Sequence, residues 1–118
     1  MPFDTNRTAL DSGVVVLTLT GTMTMGTQLQ RLEWLVDEII KEKKDRVVAD
    51  LSGISYVDSS AIGVLVACQS ALKNAGGQFR LAGVTERVAK IFKLAGIERV
   101  LLIDANREAS IAALGAGA

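Results

Sequence analysis

Residues 46–65 read Arg46-Val47-Val48-Ala49-Asp50-Leu51-Ser52-Gly53-Ile54-Ser55-Tyr56-Val57-Asp58-Ser59-Ser60-Ala61-Ile62-Gly63-Val64-Leu65, and the hydrophobic pattern changes period within them. The β-branched run over 46–51 predicts a strand. Ser52 to Asp58 reads as a loop. From about Ala61 to Ala75 the pattern predicts a helix, and Gly76-Gly77 would stop it by supplying the left-handed conformation that C-caps favour. Strand, hydroxyl-rich loop and helix, in that order, form one unit of an α/β domain.

The same alternation continues in both directions. Upstream, residues 14 to 20 predict a strand closed by Gly21. Thr27-Gln28-Leu29-Gln30 has the form of a capping box. Leu29, Leu32, Val36 and Ile39 then recur at helical spacing, with Leu35 and Ile40 widening the stripe. The charge run Lys41-Glu42-Lys43-Lys44 falls where that helix should end, which suits the negative pole of its dipole. Trp34, one residue off the stripe, is expected to cover the edge of the core, with a place in a contact surface as the alternative, and Met23 and Met25 to pack under the helix, with an adaptable binding surface as theirs. Downstream, Gln78 to Ala82 predicts a third strand and Thr85 an N-cap. The helix behind Thr85 would place Val88, Ile91, Leu94 and Ala95 on one face and stop at Gly96. Val100 to Ile103 predicts a last strand. Asp104 or Asn106 would cap a final helix through Leu114, and residues 115–118 read as frayed. Short strands alternating with three-turn helices imply parallel strand pairs joined by crossovers. The expected architecture is one α/β domain over 1–118, with its core at about 12–114.

Composition removes most chemistries. The 118 residues contain no histidine and a single cysteine, Cys68. That excludes a Ser-His-Asp triad, a Cys-His pair, imidazole and multi-thiolate metal sites, and a disulfide framework. Thirteen basic and 13 acidic residues leave no net charge. Nucleic-acid binding needs a cationic excess, so it is not expected. The longest apolar run, Ala61 to Cys68, falls far short of the roughly 20 residues that span a bilayer, and Met1 to Arg7 has no signal-peptide pattern. A soluble cytoplasmic protein without membrane insertion is expected. No phosphate-binding loop and no Gly-x-Gly-x-x-Gly occurs. Asp50 and Asp58 are the carboxylates placed off helix surfaces, yet nothing near them in sequence supplies a metal, a pocket or a partner acid. No enzyme activity and no cofactor are expected.

Asp58-Ser59-Ser60 stands where a helix begins. Capping of orphan backbone donors would account for one of the three residues. It does not account for the small, apolar first turn behind them. A helix whose apolar residues outrun one face is either buried on two sides or offers an apolar patch to a partner.

From Val47 onward the chain resembles the STAS domain of bacterial anti-sigma factor antagonists. The stretches that carry the resemblance are Val47 to Leu65, Gly76 to Gly83 and Val88 to Ile97, with residues 14–21 matching more weakly. The resemblance implies a mixed four- to five-stranded sheet packed against about four helices, and a binding module in place of an enzyme. The implied partner is an anti-sigma factor with serine kinase activity, bound by the unphosphorylated domain so that the sigma factor is freed. The position phosphorylated by that kinase is Ser59 here, and a serine phosphatase reverses the modification. The expected contact surface comprises Thr24, Asp58, Ser59, Ser60, Ile62 and Val66. Two positions depart from the family pattern. Ala61 stands where Gly is usual, and its methyl is expected to crowd a partner's backbone. Thr24 stands where an acidic residue is common. The alternative role is an accessory STAS subunit of a transport complex, without a phosphorylation switch.

Overall fold

Strands β2 (Val15–Met23) and β3 (Arg46–Val57) pair in parallel at the centre of the sheet. Their first halves are buried on both faces, which is why they read as unbroken apolar runs. The computed structural model describes residues 2–115. Around the central pair lie β1 (Asp4–Ala9), α1 (Thr27–Lys41), α2 (Ser59–Asn74), β4 (Gln78–Ala82), α3 (Glu86–Leu94), β5 (Leu102–Asp104) and α4 (Arg107–Gly115). The five strands stand in chain order, β1-β2-β3-β4-β5. β1 runs antiparallel to β2, and every other pair is parallel, so the sheet is mixed as expected.

Successive strand residues point to opposite faces, and the core divides accordingly. Val15, Leu17, Leu19, Val47, Ala49 and Leu51 pack with α1, α2 and Phe92 of α3 into the larger cluster. Val14, Val16, Val48 and Ala82 form a smaller cluster under Leu114 of α4. Two charged clasps hold α4 to this second face. Arg107 donates from Nε to Asp50 Oδ2 (3.0 Å) and from Nη2 to Thr18 Oγ1 (2.8 Å). Asp104 accepts from Arg80 Nε (2.7 Å) and from the buried Ser110 hydroxyl (2.6 Å). The Asn106 side chain caps α4 by accepting from the Ala109 N–H at 2.8 Å, the alternative the sequence offered beside Asp104.

Several expectations need correction. Residues 52–57 are strand, not loop: β3 continues beside the end of β2 through two register shifts. Gly53 makes this possible, because a Cβ there would lie 2.9 Å from Thr20 Cγ2 and 3.0 Å from the Leu19 carbonyl. β1 carries no strand pattern in the sequence, because five of its six residues are polar and it lies on an edge. Its Arg7 pairs with Glu42 just past α1, so part of the charge run at 41–44 is tied down. The capping box at Thr27 does not form, since Thr27 is already the first helical residue and Gly26 holds the cap position without a side chain. In α3 the buried residues are Val88 and Phe92, whereas Leu94 is 85 % exposed. Thr85 does cap that helix through Val88 N–H. Trp34 is 56 % exposed, and the two methionines part: Met23 is buried, Met25 is 79 % exposed. The last strand begins two residues later than expected. The expected fraying at 116–118 lies outside the described residues.

Gly76 takes the left-handed conformation (φ 87°) behind α2. Gly77 is needed for a different reason: a Cβ there would fall 1.9 Å from the carbonyl oxygen of Asp45, which accepts the Gln78 N–H. That contact seats β4 beside the start of β3. Gly77→Ala is therefore expected to destabilise the fold by about 1–3 kcal/mol, read as a lower urea midpoint at unchanged m-value.

The α4 clasps carry a pH signature. Arg80 holds the Asp104 carboxyl below its ordinary value of 3.8, against the opposing push of burial, and Ser110 helps. At Asp50, burial pushes the carboxyl up but is outweighed by hydrogen bonds from Ser52 and Arg107, so it too is lowered. A carboxyl lowered in the folded state stabilises it above the unfolded pKa, and that contribution is lost as pH falls through the folded value. Urea unfolding followed from pH 6 to pH 2 should show stability declining below about pH 4. Asp104→Asn should flatten part of that decline.

Candidate functional site

The apolar ends of β2 and β3 stop side by side, with Met23 paired to Val57, and each strand then turns into a helix. The two turns are joined by one residue. Asp58 donates its backbone N–H to the Met23 carbonyl (3.1 Å). Its Oδ1 accepts from Ala61 N–H (2.9 Å), capping α2, and its Oδ2 accepts from Met25 N–H (2.9 Å), holding the turn before α1. Both carboxylate oxygens are thus occupied by backbone donors. Ser59 is the first residue of α2 and is exposed; no side-chain hydrogen bond engages its hydroxyl among the described residues. Ser60 is half-buried beside it.

Thr24 is exposed in the turn that Asp58 restrains, so Thr24, Asp58, Ser59 and Ser60 come together at one end of the sheet. Ile62 and Val66 lie further along α2, partly buried and packed against the main core. Ala61 is fully buried, so its methyl points into the core and not toward an approaching molecule, contrary to the expected crowding. Gly63, which the sequence reading did not assign, is exposed, and a Cβ there would meet nothing within 4 Å. A glycine inside a helix costs about 1 kcal/mol relative to alanine, so no packing need accounts for it. Its exposure follows from helical spacing, four residues after Ser59. Tyr56 lies two residues before the cap, its ring under the Arg87 guanidinium at 5.4 Å.

Asp50 and Asp58 are not brought together. Asp50 is committed to Arg107 under α4, and eight residues of extended chain, about 26 Å, separate it from Asp58. Burial, and then the charges of Glu33 and Asp37, push the Cys68 thiol up to about 12, which leaves it an unreactive core group. Among the described residues, no three His, Cys, Asp or Glu side chains converge on a metal position, and no helix is long and apolar enough to cross a membrane. The arrangement can present a hydroxyl and an apolar, small-residue helix start to another protein.

Residues 7–110 match the family model of the STAS domain. The anti-sigma-B factor antagonist of Bacillus subtilis is 31 % identical over 61 residues, covering 52 % of this chain and 56 % of that protein. A proposed anti-sigma factor antagonist of Thermotoga maritima is 27 % identical over 71 residues, 60 % of this chain and 63 % of its own. The matched stretches thus span less than two thirds of these relatives. A crystal structure from Thermotoga maritima superimposes with a TM-score of 0.83 at 21 % identity, covering 93 % of both chains.

Asp58→Ala should remove both side-chain bonds and cost about 1–3 kcal/mol. Amide hydrogen exchange should quicken at both Met25 and Ala61, on separate elements. Asp58→Asn keeps a single acceptor oxygen, so one of those two amides should remain protected.

Proposed function

The chain belongs to the STAS domain family, and we propose that it acts as an anti-sigma factor antagonist switched at Ser59. In this reading the unphosphorylated protein binds an anti-sigma factor that is also a serine kinase, and the sigma factor is released. The kinase transfers the γ-phosphoryl group of ATP to Ser59 Oγ, leaving ADP and a proton, and the modified protein no longer binds. A serine phosphatase restores the hydroxyl by hydrolysis. The role is regulatory and non-enzymatic.

The observation that carries this reading is the pairing of an exposed Ser59 hydroxyl, unengaged among the described residues, with an Asp58 carboxylate whose two oxygens each accept from a backbone donor. Because Asp58 does the capping, Ser59 is not needed to hold the helix. A phosphate there brings about −1.5 to −2 charges. It would sit at a helix N-terminus, where the N–H groups of Ser59 and Ser60 and the helix dipole tolerate it. The fold therefore accepts the modification, while a partner carrying an anionic nucleotide is repelled. Thr24, Asp58, Ser60, Ile62 and Val66 surround the hydroxyl as the contact surface, and the bare backbone at Gly63 allows close approach.

Incubation with a purified anti-sigma kinase and ATP, followed by mass spectrometry, should place one phosphate on Ser59 and none on Ser59→Ala. Ser59→Asp should keep its circular dichroism and thermal midpoint yet lose kinase binding. A phosphate placed elsewhere, or wild-type binding by Ser59→Asp, would remove the reading.

A further inference from the structure

Between the start of α1 and the second turn of α2, at Val64, five residues beyond Ser59, runs an open groove of about 420 Å³. Its apolar lining comes from Met25, Leu29 and Val64, and its single charge is Glu33. Met25 is the most conspicuous part: a flexible apolar side chain, 79 % exposed, on a backbone that Asp58 holds in place. Packing within this chain does not account for that placement. Glu33 and Asp37 are one turn apart on α1 and so share a side of the helix. Glu33 lines the groove with Val64 of α2, so that side is turned toward α2, and Lys41, one turn beyond Asp37, lies on the same side. Neither carboxylate forms an ion pair or a side-chain hydrogen bond among the described residues. Arg31 lies on the other side of α1, lining a recess with Asp4 and Thr5. Between the two acids in sequence sits Trp34, also exposed.

An apolar groove with Glu33 in its lining, a second carboxylate one turn on, neither in an ion pair among the described residues, and an open aromatic ring has a definite complement. We propose that the α1–α2 groove docks a cationic segment of the partner protein, which places an apolar side chain between Met25, Leu29 and Val64 and arginines over Glu33, Asp37 and the Trp34 ring. Arginine satisfies both features of the rim, since its guanidinium pairs with carboxylates and stacks on indole. Nucleic acid and anionic membrane surfaces carry the wrong sign for it. A second copy of this chain would set one acidic rim against another. The inference rests on the antagonist reading and adds the chemistry by which the partner is selected.

The test titrates the purified anti-sigma factor kinases of the source organism, by calorimetry, against the wild type and three variants. Glu33→Lys/Asp37→Lys should weaken binding at least about tenfold and flatten its salt dependence, and Glu33→Gln/Asp37→Asn should fall between. Met25→Ala should weaken binding with the salt dependence unchanged. All these positions are exposed or half-exposed, and circular dichroism checks that each variant folds. Unchanged affinity and salt slope in the double-lysine variant, with binding still lost in Ser59→Asp, overturns the groove and leaves the antagonist reading intact. Absence of binding by the wild type to every kinase overturns both.

Discussion

One carboxylate sets the geometry of the whole functional end of the molecule. Asp58 bonds to both turns at the end of the central strand pair, closing α2 with one oxygen and restraining the approach to α1 with the other. Two loops that would otherwise move separately become one surface. The residues on that surface are thereby released from structural duty. Ser59 caps nothing, Thr24 spans a turn held by its neighbour's N–H, and Met25 keeps its side chain in solvent while its backbone is fixed. Charge-assisted hydrogen bonds of this kind are stronger than neutral ones, which suits the proposed switch, in which the site keeps its shape while a phosphate is added.

The parts of the fold with strong periodicity were legible in the sequence. The first halves of the central strands, the stripe of Leu29, Leu32, Val36 and Ile39, the Thr85 cap and the Gly76 stop stand where the pattern placed them, although β2 runs on through Gly21 to Met23. Misreadings share a physical origin: the decisive contact lies far away in sequence. Ser52 to Val57 looks like a loop because Ser52, Gly53 and Ser55 interrupt its apolar pattern, and it is a strand because β3 bulges twice and so stays beside β2. The six residues of β1, five of them polar, become a strand through antiparallel pairing with β2. Thr27 and Gln30 have the spacing of a capping box but begin one residue too late. At the site, the Asp-Ser-Ser segment was visible as a helix start. The second bond of Asp58, to an amide 33 residues away, carries no local signal. Nor does the groove, which exists only where α1 and α2 lie side by side.

The two faces of the sheet divide the work. The face under α1, α2 and α3 holds the main core and ends in the exposed turn carrying Ser59. The opposite face keeps a smaller apolar cluster and spends its charges internally, Asp50 on Arg107 and Asp104 on Arg80. On the first face Glu33 and Asp37 form no ion pair among the described residues. A chain with no net charge can therefore still present a locally acidic surface beside its proposed switch.

The order of the strands has a consequence for how the chain reaches this structure. Every strand pairs with its immediate predecessor, so no hydrogen-bonded ladder must wait for a distant terminus. Each ladder closes a hairpin or a single strand-helix-strand loop, a modest entropic step, and the sheet can extend from β1 to β5 as the chain emerges. The exception is α4, whose Arg107 reaches back 89 residues to Thr18 and binds Asp50 on the way. That clasp joins the last helix to the second and third strands and converts a sheet built by nearest neighbours into one cooperative unit.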